Sequence, residues 1–337
     1  MGGVVRKRPI GILVLVFAIG CARSAGRIDL YDALLDPQLP ARLAAEQHAD
    51  FLTDLPKIST HEHYRAGGSL AAYRKVAAEM GIRKVILLPT GDAPDNRGYR
   101  KHMASLLEVA RQDPDYIIPF ATVNPDDADA VALLADAVHR GARGLKLMSG
   151  HPDYYRAPLD GPPMLAVFAE ARALGIPVLM HVSPMRIPKQ MPELEHLLRA
   201  FPDLTVIAAH YARTPPDFDE TARLLDTYPN LTMDVSMGGG LSRYQGEIPR
   251  FLRRYRDFIV AYQDRLLWGT DMILDAGETE TSIRERIATD FLLLGARLYV
   301  DPQHGRDKTS IEFGLDLPRP VLEKIFYENP QRILGIH

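Results

Sequence analysis

Two histidines one residue apart, His61 and His63 in Thr60-His61-Glu62-His63, have a type and spacing that indicate metal chemistry. Alternate residues of a β-strand point to the same face, so both imidazoles can face one ion while Glu62 points away. With 11 histidines among 337 residues, such a pair also arises easily by chance. The pair therefore predicts a metal site only if its position in the fold supports one.

Three further polar residues stand at the ends of apolar runs. His181 follows the run 178–180, His210 follows the run 206–209, and Asp271 ends the run that begins at residue 265. Polar residues at the carboxyl ends of barrel strands meet at one catalytic face. We therefore expect one divalent metal ion bound by His61, His63, His181 and Asp271. Zinc suits these donors best, although manganese or iron would accept them too.

The residues after the strands also suggest what is bound. Arg65 lies two residues beyond His63, and a planar guanidinium binds a carboxylate with two hydrogen bonds. We expect a small, carboxylate-bearing substrate, with a solvated loop charge as the alternative for Arg65. The net charge of −3 and the scattered basic residues do not indicate a surface that binds nucleic acid. A homodimer is compatible with the sequence.

The elements that position these residues are short apolar runs that alternate with helix-like stretches from Lys57 onward. Consecutive apolar positions, as in Val85-Ile86-Leu87-Leu88, are typical of parallel strands covered on both faces. The pattern predicts the α/β class and a TIM (β/α)₈ barrel as a single catalytic domain over residues 57–337. A doubly wound open sheet is the alternative. The predicted strands are Lys57–Tyr64, Lys84–Thr90, Ile117–Val123, Gly144–Ser149, Pro177–Ser183, Leu204–Ala212, Leu231–Met237 and Arg265–Met272.

The first residues resemble a lipoprotein signal peptide, predicted over residues 1–20. Basic residues 6–8 precede an apolar run that ends in Ala18-Ile19-Gly20-Cys21. Cys21, the only cysteine, is the expected lipidation site, so we expect export and a lipid anchor in the periplasm or outer membrane of a Gram-negative bacterium. Ordinary cleavage or an uncleaved anchor are the alternatives. Residues 21–56 are predicted to form a tether and a helix from about Leu39 to Leu52.

The ligand pattern resembles the amidohydrolase superfamily, whose members carry H-x-H on the first strand, histidines on the fifth and sixth, and aspartate on the eighth. The closing Asn329-Pro330-Gln331-Arg332-Ile333-Leu334 is similar to the ending of its amidohydrolase-related branch, which includes aminocarboxymuconate-semialdehyde decarboxylase. Ser59 departs from the aspartate usual before the first histidine. Lys146 stands where binuclear members carry a carbamylated lysine that bridges a second metal. We expect instead a buried or substrate-facing ammonium.

The resemblance implies a metal-dependent hydrolase that acts through a metal-activated water. In that mechanism Asp271 carries the proton and His210 polarises the substrate carbonyl or holds the oxyanion. Non-oxidative decarboxylation or hydration of an unsaturated carboxylic acid is the main alternative. A non-catalytic binding lipoprotein on a barrel scaffold is a further one, because a fold does not fix a function.

Overall fold

The strands and helices are those of a computed structural model that describes residues 38–47, 52–154, 156–210, 217–236, 248–302 and 311–336. The predicted signal peptide and Cys21 lie outside the described residues. The described residues from Pro40 onward belong to one compact unit. Among the described residues, no helix is both long enough and apolar enough to cross a membrane.

Twelve strands occur in the described part of the chain. They are β1 (Lys57–Tyr64), β2 (Ile82–Pro89), β3 (Ile117–Pro119), β4 (Ala121–Thr122), β5 (Leu145–Leu147), β6 (Val178–His181), β7 (Val206–Ala209), β8 (Leu231–Asp234), β9 (Leu266–Leu267), β10 (Met272–Leu274), β11 (Leu298–Val300) and β12 (Ile311–Phe313). The first ten pair in parallel in two sheets, ordered β10-β1-β2-β3 and β4-β5-β6-β7-β8-β9. The last two form a separate antiparallel pair.

The two parallel sheets form one closed barrel. The segments β3 and β4 are two halves of one barrel strand, and so are β9 and β10; in each case the first half is hydrogen-bonded to one neighbouring strand and the second half to the other. Between β3 and β4, Phe120 N donates to Leu87 O of β2, and Ala121 N then donates to Gly144 O beside β5. Between β9 and β10, Thr60 N donates to Trp268 O, and Asp271 N donates to His61 O. Counted in this way, eight parallel strands close the ring. The predicted TIM barrel is confirmed, and each predicted run overlaps an observed strand, although β2 begins at Ile82, two residues before the predicted Lys84.

The helices alternate with the barrel strands and cover them. They are α1 (Leu39–Gln47), α2 (Leu70–Glu79), α3 (Tyr99–Gln112), α4 (Ala130–His139), α5 (Pro162–Ala173), α6 (Gln190–Ala200), α7 (Phe218–Thr227), α8 (Ile248–Ala261), α9 (Glu280–Gly295), α10 (Arg319–Glu323) and α11 (Asn329–Leu334). A 3₁₀ turn (Gln263–Arg265) precedes β9, and a π-helical turn (Lys324–Glu328) joins α10 to α11. Where the caps are clear they follow the sequence: Pro162 opens α5, and Asp217 caps α7 by accepting from Asp219 N and Glu220 N.

The core has two layers, as the consecutive apolar positions predict. Side chains such as Ile58, Ile86, Leu179 and Ile207 fill the barrel interior, while a larger cluster packs between the strands and the helices. The interior apolar filling leaves polar side chains at the carboxyl ends of the strands. That end of the barrel is therefore the place where chemistry can occur.

Candidate metal centre

His61 and His63 lie near the carboxyl end of β1 and are both buried. Their Nε2 atoms are 3.3 Å apart. Asp271, at the break between β9 and β10, places Oδ1 3.3 Å from His61 Nε2 and 3.1 Å from His63 Nε2. Three potential ligand atoms from two strands thus converge on one point.

The spacing of these three atoms fits a divalent ion. Two ligands that each lie about 2.1 Å from an ion are about 3.0 to 3.4 Å apart at angles between octahedral and tetrahedral values. All three separations fall within that range. Two imidazoles and one carboxylate are also a donor set that zinc, manganese and iron accept.

The other nitrogen of each imidazole is occupied by an acceptor, which orients the ring. His61 Nδ1 lies 2.7 Å from Asp234 Oδ2 at the end of β8, and His63 Nδ1 contacts Thr90 Oγ1. With the proton on Nδ1, the Nε2 lone pair of each ring faces the convergence point. Burial lowers the pKa of His61 to about 3, with the nearby Lys146 charge acting in the same direction. His61 is therefore neutral at neutral pH, as a metal ligand must be.

A second group of possible ligands, formed by His61, His210 and Asp234, is better explained as a hydrogen-bond network. The hydroxyl of Ser236 already lies among its atoms. Ser236 Oγ is 3.0 Å from both His61 Nδ1 and His210 Nδ1, and it donates to Asp234 Oδ1 at 2.5 Å. An ion at that point would have to displace a fully buried hydroxyl.

His210 faces the convergence point from the turn after β7. Its backbone N donates to Asp234 Oδ1 at 2.8 Å, and its Nδ1 lies 3.0 Å from the carbonyl oxygen of Ser236. These bonds leave Nε2 directed at Asp271, with 3.8 Å between Nε2 and Oδ2. Burial acts to raise the pKa of Asp271, but the surrounding imidazoles, His210 first, lower it well below its ordinary value. Asp271 is therefore ionised at neutral pH.

His181, the predicted fourth ligand, ends β6 but lies outside both groups of converging atoms. Its Nε2 is 3.0 Å from Ser183 Oγ. Its ring centroid is 4.9 Å from that of His210 and 4.6 Å from that of His151. His181 is thus beside the centre, and its ligation stays a prediction.

Lys146 projects from β5 into the centre and is completely buried. Its Nζ lies 3.1 Å from His61 Nε2. Burial lowers the pKa of Lys146 to about 8, although the carboxylates of Asp271 and Asp234 oppose this. The amine is therefore mostly charged near neutral pH, with a minority of uncharged amine, and only the uncharged form can react with carbon dioxide.

Arg65 lies just beyond β1 and is one-third exposed. Its guanidinium pairs with the carboxylate of Asp92, with 3.1 Å between Arg65 Nη2 and Asp92 Oδ1. Asp92 itself is 66% exposed. The arginine is therefore already paired, but with a solvent-facing partner that a ligand can replace.

Sequence reasoning missed four residues around the centre: Asp234, Ser236, Thr90 and His151. Asp234 ends β8, inside the predicted run Leu231–Met237, and obeys the same strand-end rule that singles out His181 and Asp271, so a signal was present. Thr90 and Ser236 are small hydroxyl residues after strands, and only the folded distances reveal their contacts. His151 follows β5 by four residues, too far for the rule to select it.

Comparison with known proteins then decides the family. A family model described as amidohydrolase matches residues 43–336. The chain belongs to the amidohydrolase family. No curated protein matches it.

Solved structures similar to this amidohydrolase share its barrel at low sequence identity. A candidate 2-pyrone-4,6-dicarboxylic acid hydrolase from Pseudomonas putida has 17% identity and a TM-score of 0.54, with 84% of this chain and 98% of that chain covered. A structure of 2,6-dihydroxybenzoate decarboxylase has 17% identity and a TM-score of 0.52, with 83% of this chain and 99% of that chain covered. A Burkholderia multivorans amidohydrolase with bound zinc has 14% identity and a TM-score of 0.53, with 84% of this chain and 100% of that chain covered. Identities this low establish the fold alone.

Proposed function

We propose that this amidohydrolase hydrolyses a small, carboxylate-bearing molecule with one divalent ion bound by His61, His63 and Asp271. The observation that carries the proposal is the convergence of two Nε2 atoms and one carboxylate oxygen within 3.1 to 3.3 Å of one another. His181 is the proposed fourth ligand, reached by exchanging its contact with Ser183 Oγ for the ion. Zinc is the proposed ion, and the zinc-bound Burkholderia neighbour gives it modest support.

The chain's own residues would divide the work of hydrolysis. A bound divalent ion supplies Lewis acidity and lowers the pKa of a coordinated water toward neutrality. Asp271, whose second oxygen faces His210, accepts the proton from the attacking water and returns it to the leaving group. His210 donates from Nδ1 to the carbonyl oxygen of Ser236, which fixes the ring, and in its doubly protonated form it donates a second hydrogen bond from Nε2 to the substrate oxygen that gains negative charge.

Arg65 would bind the substrate carboxylate in place of the carboxylate of Asp92, with which it pairs in the free protein. Ion pairs between exposed groups contribute only about 0 to 1 kcal/mol. A substrate held at a second point by the centre can therefore displace Asp92 at little cost. The exchange also predicts that a neutral analogue of the substrate binds more weakly than the carboxylate.

Decarboxylation of a carboxylic acid is the second candidate, because the same residues can hold a carboxylate beside an ion and deliver a proton to carbon. The likeness of the barrel to that of 2,6-dihydroxybenzoate decarboxylase supports this second candidate. Lys146 supports this candidate, because its Nζ lies 3.1 Å from His61 Nε2 and a charged ammonium there would attract a substrate carboxylate.

The test is a screen of the zinc-loaded protein over lactones, amides and unsaturated carboxylates, with proton release and carbon dioxide release followed together. Hydrolysis of a carboxylate-bearing lactone or amide without carbon dioxide release would support the proposal. His61→Ala should abolish turnover, whereas His196→Ala should not, because His196 is half-exposed and pairs with Asp160 away from the centre. Carbon dioxide release would favour the decarboxylase. Binding without turnover would favour the non-catalytic lipoprotein.

A further inference from the structure

Glu62 is a buried carboxylate that the proposed reaction does not use. It lies between His61 and His63 on β1, with its side chain on the opposite face, and it is completely inaccessible to solvent. Its oxygens accept four hydrogen bonds. Ser59 Oγ and Thr270 N donate to Oε1 at 2.6 and 3.0 Å, and Thr270 Oγ1 and Met272 N donate to Oε2 at 2.5 and 3.1 Å.

Three of these four bonds come from the residues on either side of Asp271. The backbone amides before and after Asp271 are both fixed by Glu62, while the amide of Asp271 itself donates to His61 O at 2.9 Å. Asp271 has a φ of 57°, in the left-handed region that residues other than glycine adopt uncommonly, although aspartate and asparagine adopt it more often than most. The contacts of Glu62 restrain the backbone there.

The shape of β1 makes the arrangement possible. The register between β1 and β2 shifts between Ser59 and Glu62, which is the mark of a bulge. Ser59 and Glu62 can thus lie together on the outward face although they are three residues apart, while His61 and His63 keep the inward face. The segment before Asp271 also approaches closely, since a Cβ on Gly269 would lie 2.6 Å from His61 N.

We infer that Glu62 is a positioning residue that places the carboxylate of Asp271 beside His61 and His63. The middle residue of the H-x-H sequence then links the first strand of the barrel to the last, on the face opposite the ligands. Without the acceptors of Glu62, the amides of Thr270 and Met272 lose these hydrogen bonds in the folded core, and the turn that aims Asp271 relaxes. This inference rests on the proposed metal site.

The test has two measurements. Cobalt(II) is the first probe, because its visible spectrum reports ligand geometry, and the affinity for zinc is measured by competition with a chelator. Glu62→Gln keeps the size of the side chain but presents an amide donor to backbone donors. Removal of an outer-shell partner typically lowers metal affinity by about 10- to 100-fold. We expect a loss of that size, with a cobalt spectrum shifted toward that of Asp271→Asn. Glu193→Gln is the matched control, since Glu193 is also buried and accepts a backbone hydrogen bond, from Leu159 N.

A double variant separates positioning from general stability. If Glu62 acts through Asp271, then Glu62→Gln combined with Asp271→Asn binds zinc no more weakly than Asp271→Asn alone. An additive loss would overturn the inference. Thr270→Val removes one donor with little change of shape, and a partial loss of affinity in that variant is expected even if Glu62→Gln fails to fold.

The outcomes are distinct for the two proposals. Wild-type protein that binds neither zinc nor cobalt contradicts the proposed function, and the inference with it. Wild-type binding together with an unchanged affinity and spectrum in both folded Glu62→Gln and Thr270→Val contradicts the inference alone. A lowered melting temperature with an unchanged spectrum would assign Glu62 to stability and would likewise contradict positioning.

Discussion

His210 and Asp271, the two residues to which the mechanism assigns proton and charge handling, share an unusual backbone conformation. Their φ angles are 63° and 57°. Residues held in this region cluster at functional sites, where the surrounding structure supports the strain. Each is held by a buried carboxylate, because Asp234 accepts from the backbone N of His210 and Glu62 accepts from both neighbours of Asp271.

The first prediction concerns Asp271→Asn. Asparagine tolerates the left-handed conformation about as well as aspartate does, so the turn should persist. The variant loses the proton acceptor, and general acid–base catalysis contributes about 10²- to 10⁴-fold. We expect activity to fall by at least that factor, and further if the ion is also lost. Assays on the substrate found by the screen, with metal content and a melting curve alongside, measure this.

Asp275→Asn is the control for that variant. Asp275 lies on the same segment, and its carboxylate accepts from Gly277 N at 2.8 Å in a surface turn. It should retain activity. If Asp271→Asn keeps its activity but melts at a lower temperature, Asp271 is structural and the proposed mechanism is wrong.

How far the site could be predicted depends on the kind of residue. The strand-end rule selected His61, His63, His210 and Asp271, and the fold brings all four together. It also selected His181, which lies beside them but contacts Ser183. The contact of Thr90 with His63 could not be predicted, because a threonine after a strand is common and its partner is set by the register between β1 and β2.

At the scale of the elements, the sequence predicts each strand of the barrel but not the points at which two of the strands are divided into shorter segments. A parallel strand covered on both faces needs consecutive apolar residues, which the sequence displays directly. The breaks at Phe120 and at residues 268–271 arise where a strand changes hydrogen-bonding partner, which depends on neighbours far away in the chain. One of those breaks carries Asp271, so the least predictable part of the barrel holds a central residue.

Lys57, at the start of β1, gives the second prediction. Its ammonium is buried, donates to the carbonyl oxygens of Leu55 at 2.7 Å and Met80 at 3.1 Å, contacts Leu52 O, and lies 4.5 Å from the ring centroid of Phe291. Lys57→Met would remove the donor to the buried carbonyl oxygens of Leu55 and Met80, at about 1 to 3 kcal/mol for each unsatisfied group, whereas Leu52 O keeps its hydrogen bond from Leu55 N. We expect the free energy of unfolding to fall by about 2 to 4 kcal/mol, measured by urea denaturation.

Lys84→Met is the matched control on β2. Lys84 also donates to a carbonyl, Asp115 O at 3.0 Å, but it does so at the surface, where water can replace it. Its substitution should change stability by less than about 0.5 kcal/mol. Equal stability losses in the two variants would show that the burial of Lys57 has no special part in anchoring β1.

For the whole molecule, we propose that the barrel is exported and anchored by lipid at Cys21. The proposal depends on the basic residues 6–8, the apolar run after them and the sequence Ala18-Ile19-Gly20-Cys21. The third prediction is that the protein expressed in a Gram-negative host partitions into the detergent phase. Cys21→Ser should release it or block its processing, because the attachment point for the lipid is lost.

Phase partitioning of the two forms, with a mass measurement of the processed N-terminus, tests this. Catalytic activity of the released barrel should be unchanged, since the proposed ligands His61, His63, His181 and Asp271 all lie far beyond Cys21 in the sequence. Equal partitioning of wild type and Cys21→Ser into the aqueous phase would contradict the anchor while leaving the metal site untouched.

The most direct test of the central claim is the metal content of the whole chain. Protein loaded with zinc and dialysed should retain about one ion per chain, because among the described residues the group of His61, His63 and Asp271 has converging ligand atoms, whereas the hydroxyl of Ser236 lies among the atoms of the other group. His61→Ala should lose that ion, and His196→Ala should keep it. Two ions per chain with a modified Lys146 would contradict the single-ion centre. Equal zinc in wild type and His61→Ala, or none in either, would contradict the centre altogether.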